Sequence, residues 1–145
     1  MSYWDTSALL KLYVPEPDSP AFVEYARTHP GAFTARIASW EALTAFRRKE
    51  AEGIIRPGTA QMLHSALLKD GISGYWRWVE LSHAVETAFG QILDRCFQLN
   101  PPLPIRTLDA IHLACALTVG ETEVVATDRR LRAAAIAMGC TLFPR

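Results

Sequence analysis

The chain has 145 residues, half of them apolar, which suits one domain built around one sizeable core. Its 15 basic and 15 acidic residues cancel, so no strongly basic surface advertises nucleic acid; any such contact must come from a local patch or from bound cations. The cysteines, Cys96, Cys115 and Cys140, are odd in number and lack a CxxC pair, which argues against a disulfide framework or structural zinc and for reduced thiols in a cytoplasmic protein.

In chain order, Ser2 to Asp5 is expected to form a short buried strand. Asp5 also interrupts any apolar run that could serve as a secretory leader. Thr6 to Tyr13 supplies helical turns, Pro15, Pro17 and Pro20 punctuate the chain, and a helix resumes over about Ser19 to Arg27. After the turn His29-Pro30-Gly31, a second strand is expected over Ala32 to Thr34 and a helix from Ile37 to about Gly53. Arg56-Pro57-Gly58 opens another helix reaching about Asp70, and the aromatic, β-branched run Trp76 to Leu81 forms a third strand. Helices follow over Ala84 to Gln98 and Thr107 to about Val119, then a strand at Val124 to Ala126, a helix at Arg129 to Met138 and a last strand at Thr141 to Phe143. The most apolar stretch, Leu108 to Gly120, contains Asp109 and His112 and is too short to span a membrane. With no repeat or linker dividing it, residues 1–145 are expected to form a single α/β domain, an open and largely parallel sheet with helices on both faces. Ligands of such sheets bind outside the carboxyl ends of the strands.

Four carboxylates stand out. Asp5 and Asp128 each end an expected strand and begin a helix, where an aspartate is either an ordinary N-cap or a ligand-facing acid. Glu41 is the only charge between Ile37 and Phe46, a segment apolar all round and therefore expected to be buried. A buried carboxylate needs a partner, either an ion pair with Arg36 or Arg106 or a bound cation. Asp109 sits in the first turn of an equally apolar helix, where the helix dipole favours an anion. His112, three residues on, is expected to be a core histidine with one hydrogen bond rather than a ligand or base. If the strand-end rule brings all four acids to one cleft, their repulsion raises their pKa values or recruits a cation. An oxygen-only ligand set suits Mg²⁺ or Mn²⁺.

Four segments, Tyr3-Trp-Asp-Thr-Ser-Ala-Leu-Leu-Lys-Leu-Tyr13, Trp40-Glu41-Ala42, Arg106-Thr-Leu-Asp-Ala-Ile-His-Leu-Ala114 and Ala126-Thr-Asp-Arg-Arg-Leu131, resemble the PIN-domain nucleases in order and spacing. Within that family they are most similar to the VapC-type toxins of toxin–antitoxin pairs. The resemblance implies a PIN fold, with about five short strands, and a Mg²⁺- or Mn²⁺-dependent endoribonuclease whose acidic positions match Asp5, Glu41, Asp109 and Asp128. The small hydroxyl residues beside the first and last acids match Thr6 and Thr127, expected to orient a ligand or water. It further implies an RNA substrate, an inhibitory antitoxin and a homodimer, with no membrane partner.

Candidates for a phosphate track are Arg36, Arg106, Arg129 and Arg130, with Arg47, Arg48 and Lys49 as well suited to a solvated helix face. The aromatic run around Tyr75, Trp76 and Trp78 is expected to serve core or dimer packing rather than base stacking. Two alternatives stay open: an RNA-processing nuclease with no toxin role, and a catalytically idle PIN-like binding module. An aspartate-first phosphatase is disfavoured because Ser7 stands where that pattern needs a second acid.

Overall fold

Short apolar runs bounded by turn residues become strands, and the longer apolar segments between them become the helices that cover the sheet. The computed structural model describes residues 1–145. Its strands are β1 (Ser2–Trp4), β2 (Ala32–Ala35), β3 (Trp76–Val79), β4 (Glu123–Val125) and β5 (Thr141–Phe143). They form one sheet of order β3-β2-β1-β4-β5, every neighbouring pair parallel. The helices are α1 (Thr6–Leu10), α2 (Ser19–Thr28), α3 (Ile37–Ala51), α4 (Thr59–Ile72), α5 (His83–Gln98), α6 (Thr107–Thr118) and α7 (Arg129–Ala137).

Successive side chains of β1 point to opposite faces of the sheet, as the pleat requires. Tyr3 enters the larger core with Ile92 of α5, Leu113 of α6 and Leu131 of α7. Trp4 faces the other way, against Phe22 and Tyr25 of α2. Leu9, Phe46 and Leu67, from α1, α3 and α4, fill the rest of that second layer. The expected α/β architecture with helices on both faces is therefore present.

Strand order makes one place special. From β1 the chain steps outward to β2 and β3 on one side, and it later returns to β4 and β5 on the other. The carboxyl ends of β1 and β4 flank the point where the order reverses, which is where ligands of open α/β sheets bind. Asp5 follows β1 directly, its backbone N–H donating to Val125 O of β4 at 3.0 Å.

The helical turns expected from Thr6 to Tyr13 are present, as α1 up to Leu10 and tighter i to i+3 bonds on to Tyr13. Two expectations need correction. Strand β3 ends at Val79, two residues before Leu81, because its partner strand ends at Ala35. Helix α3 is not buried all round: Ala38, Ala42 and Phe46 are covered, but Trp40 is 62% exposed. No helix is long and apolar enough to cross a membrane.

Candidate active site

Asp5 is buried and held on both oxygens. As N-cap of α1 it accepts the Ala8 N–H on Oδ1 at 2.8 Å, and Oδ2 accepts the Ser7 hydroxyl at 2.7 Å. Ser7 Oγ in turn accepts from Thr127 Oγ1 at 2.9 Å, so a hydroxyl chain links the loop after β4 to the acid after β1. Asp128 caps α7, its Oδ1 accepting both the Arg130 and Leu131 N–H groups, at 2.9 and 3.0 Å. The N-cap reading of both aspartates is thus correct as geometry, and it leaves Oδ2 of Asp128 without a donor.

Glu41 reaches across the carboxyl edge of the sheet from α3 to α6. Its Oε1 accepts the Thr6 hydroxyl at 2.7 Å and lies 2.6 Å from His112 Nε2. Neither Arg36 nor Arg106 is its partner. Arg36 instead pairs with Glu80 at 2.7 Å and lies over the Trp78 ring. The other ring nitrogen of His112, Nδ1, is 2.7 Å from the Tyr3 hydroxyl, whose oxygen accepts the Ala35 N–H at 3.1 Å. His112 is the core histidine expected, only 3% exposed, but it uses both nitrogens rather than one. Asp109, half-buried at the start of α6, receives no hydrogen bond from any donor of the chain.

These environments push the carboxyls in different directions. Burial holds Asp5 above the usual carboxylate range, with Glu41 adding to it and His112, Ser7 and Ala8 opposing. Burial also raises Asp109, and the charges of Asp128 and Glu41 add to the effect. Burial acts the same way on Glu41, but the hydrogen bonds that Oε1 accepts from His112 and Thr6 outweigh it, leaving its carboxyl lowered. Asp5 thus feels Glu41, and Asp109 feels both Asp128 and Glu41. Even so, no three His, Cys, Asp or Glu side chains converge tightly enough to hold one ion as they stand.

A model of the PIN domain matches residues 2–137. The chain belongs to the PIN-domain family. It is similar to the ribonuclease VapC46 of Mycobacterium tuberculosis, with 32% identity over 143 residues spanning 97% of this chain and 95% of that protein. Its fold is similar to three solved structures. FitAcB from Neisseria gonorrhoeae superposes with a TM-score of 0.69 at 16% identity, covering 99% of this chain and 96% of that one. FitAB bound to an IR36 DNA fragment gives 0.71 at 15%, covering 99% and 94%. VapBC2 from Rickettsia felis bound to a DNA fragment from their promoter gives 0.66 at 12%, covering 98% and 97%.

Within this PIN domain the expected basic residues divide into two groups. Arg36 is tied to Glu80 and Trp78, Arg47 pairs with Glu50, and Lys49 pairs with Glu16. Arg106, Arg129 and Arg130 are exposed and lie next to the acids: Arg129 and Arg130 follow Asp128, and Arg106 acts electrostatically on Asp109. Of the aromatic run, Trp76 is core, packed edge-on against Tyr13, Trp78 lies under Arg36, and Tyr75 is 67% exposed. A cavity of about 550 Å³ lined by Trp4, Tyr13, His29, Tyr75 and Trp76 includes none of the four acids.

Sequence reasoning missed Tyr3 and Ser7 and gave His112 too small a part. Tyr3 sits in an apolar strand and looks like core, while its hydroxyl partner lies 109 residues away. The available signal was the i, i+3 spacing of Asp109 and His112, which puts the imidazole near the acid's own helix face.

Proposed function

We propose that this PIN-domain protein is a divalent-metal-dependent endoribonuclease, the toxin of a toxin–antitoxin pair, with Asp5, Glu41, Asp109 and Asp128 as its metal-holding acids. The observation that supports the reading is a set of four acids from four separate segments, coupled as Asp5 with Glu41 and Asp109 with both Glu41 and Asp128, in a chain that matches the PIN domain over residues 2–137. The similarity to a ribonuclease over nearly the whole chain supports RNA as substrate. The solved relatives named VapBC2 and FitAB support an antitoxin partner, and the family resemblance adds a homodimer.

The donor set fits Mg²⁺ or Mn²⁺. It is all oxygen, and Glu41 Oε2, Asp128 Oδ2 and both Asp109 oxygens accept nothing from the chain. A cation held there supplies Lewis acidity for hydrolysis of a phosphodiester. The chain's own groups prepare that site. Ser7 and Ala8 fix the Asp5 carboxylate, and Thr127 holds Ser7 in place. Thr6 gives its proton to Glu41 and keeps lone pairs that can accept from a water. Arg106, Arg129 and Arg130, exposed and close in sequence to Asp109 and Asp128, are the candidates to meet an incoming phosphate.

The test is to induce the wild type and Asp109→Asn in cells and map new RNA 5′ ends alongside growth. The expected result is growth arrest with discrete new ends in the wild type and neither in the variant. Equal, well-folded expression with unchanged RNA and growth in both would overturn the toxin reading. An RNA-processing nuclease or an idle binding module would then lead. Light scattering of the same purified protein is expected to give a dimer, and monomer alone at high concentration would remove that element.

A further inference from the structure

The hydrogen bonds around His112 form a directed chain. Ala35 N–H is a backbone donor, so the Tyr3 oxygen at 3.1 Å must accept from it. The single Tyr3 proton then needs an acceptor, and His112 Nδ1 lies 2.7 Å away. If Nδ1 accepts, the ring proton sits on Nε2, which donates to Glu41 Oε1 at 2.6 Å and passes Thr6 Oγ1 at 3.2 Å. A protonated Nδ1 would instead displace the Tyr3 proton from this acceptor and leave it only the Cys115 sulfur, a weak acceptor, in a place where the phenol is fully buried. Tyr3 belongs to the central strand and His112 to α6, so the contact between them belongs to the fold itself rather than to a mobile loop.

The consequence falls on Glu41. Oε1 is saturated by two donors, Thr6 and His112, that come from different elements. Oε2 receives none. From this we infer that Tyr3 and His112 are positioning residues: the Tyr3 hydroxyl holds His112 in its Nε2–H form so that the ring docks Glu41 by one oxygen and presents only Oε2 to the cleft. The inference rests on the metal-site reading above, and it assigns to a buried tyrosine and histidine the orientation of one proposed ligand. Neither residue touches substrate in this scheme; both act through Glu41. Outer-shell partners of this kind typically contribute about 10- to 100-fold to metal affinity.

The experiment uses the full chain and two readouts. In the metal-free protein, near neutral pH, two-bond ¹⁵N–¹H correlation of the imidazoles reports the tautomer of His112, assigned among the four histidines by its absence in His112→Gln. The expected pattern is Nε2–H in the wild type, with loss of that single-tautomer pattern in Tyr3→Phe. Mn²⁺ binding, read by calorimetry, is then compared among folded variants. His112→Leu is expected to weaken it about 10-fold or more, while His112→Gln, whose amide N–H can stand where Nε2–H stood, stays within about 3-fold of wild type. Tyr3→Phe is expected to fall between them.

An Nδ1–H or doubly protonated ring in the wild type would overturn the relay, whatever the metal results. An Nε2–H ring combined with Mn²⁺ affinity unchanged in both His112→Leu and Tyr3→Phe would overturn the positioning role. Because Leu also leaves a polar gap, equal loss in His112→Leu and His112→Gln with normal affinity in Tyr3→Phe would do the same. Failure of the wild type to bind Mn²⁺ would overturn the metal-site reading instead, and the tautomer measurement, which needs no metal, would still decide the relay.

Discussion

Asp109 is the least satisfied of the four acids, and its environment predicts a trade between stability and function. Burial, and then the charge of Asp128, hold its carboxyl above the ordinary range in the metal-free fold. A raised carboxyl destabilises the fold when ionised. Below the unfolded-state pKa both states are protonated and nothing is lost; above the folded-state pKa the whole penalty is present. Replacing Asp109 by asparagine removes that penalty, so Asp109→Asn is expected to be the more stable protein in chelator at neutral pH. The gain is about 1 kcal/mol, kept small because the side chain is only half-buried and solvent screens it. For a chain of this size that is about 2–4 °C in Tm, disappearing as the pH falls toward about 3. Saturating Mn²⁺ should invert the order, since a ligand at about 100 times its Kd adds about 2.7 kcal/mol to the wild type alone. Thermal unfolding with and without chelator checks both halves. An Asp109→Asn protein less stable than wild type without metal at neutral pH would show that the carboxylate has a structural partner.

At the scale of elements, the packing of α4 on the edge strand β3 carries its own prediction. Gly71, in the last turn of α4, has Trp78 so close that an added Cβ would lie 2.5 Å from the indole nitrogen. Alanine in a helix interior gains about 1 kcal/mol over glycine from propensity. Overpacking costs about 1–3 kcal/mol, and swinging the ring aside would give up its contact with Arg36 at 5.0 Å. Gly71→Ala is therefore expected to destabilise the protein by about 1 kcal/mol net, read as a lower denaturation midpoint; a rise in the midpoint would mean that Trp78 moves freely. This contact also marks where the sequence stops being legible. The alternation of apolar runs and turn residues made all five strands and their intervening helices readable, because those patterns are local. The acids at Asp5 and Asp128 were readable as strand-end residues, and Glu41 as a charge with no local reason to be there. What covers the far side of α3 was not readable, so Trp40 was expected inside and lies 62% exposed. Nor was the Tyr3–His112–Glu41 chain, because each member looks like ordinary core, or a lone charge, until the fold brings β1, α6 and α3 to one edge of the sheet.

For the molecule as a whole, a formal charge of zero hides an uneven distribution. Asp5, Glu41, Asp109 and Asp128 have Arg106, Arg129 and Arg130 beside them, while the other eleven acids share the rest of the molecule with the remaining twelve of the fifteen basic residues, several of them already paired. The cleft itself repels a polyanion until cations enter it, and no net field draws RNA from a distance. On the proposed reading, affinity comes from the unpaired arginines at the rim, above all Arg129 and Arg130, in the first turn of α7 directly after Asp128. If each neutralises one phosphate of a single-stranded RNA, it contributes about 0.7 to the slope of log affinity against log salt. Arg129→Gln and Arg130→Gln together are expected to flatten that slope by about 1.4 and to weaken binding alike for RNAs of unrelated sequence. Filter binding across a salt series, in an Asp109→Asn background that prevents cleavage, measures both. A slope left unchanged by the pair would move the phosphate track away from α7, leaving Arg106 as the remaining exposed arginine beside the acids. A change confined to one RNA would mean that these arginines read sequence rather than backbone charge.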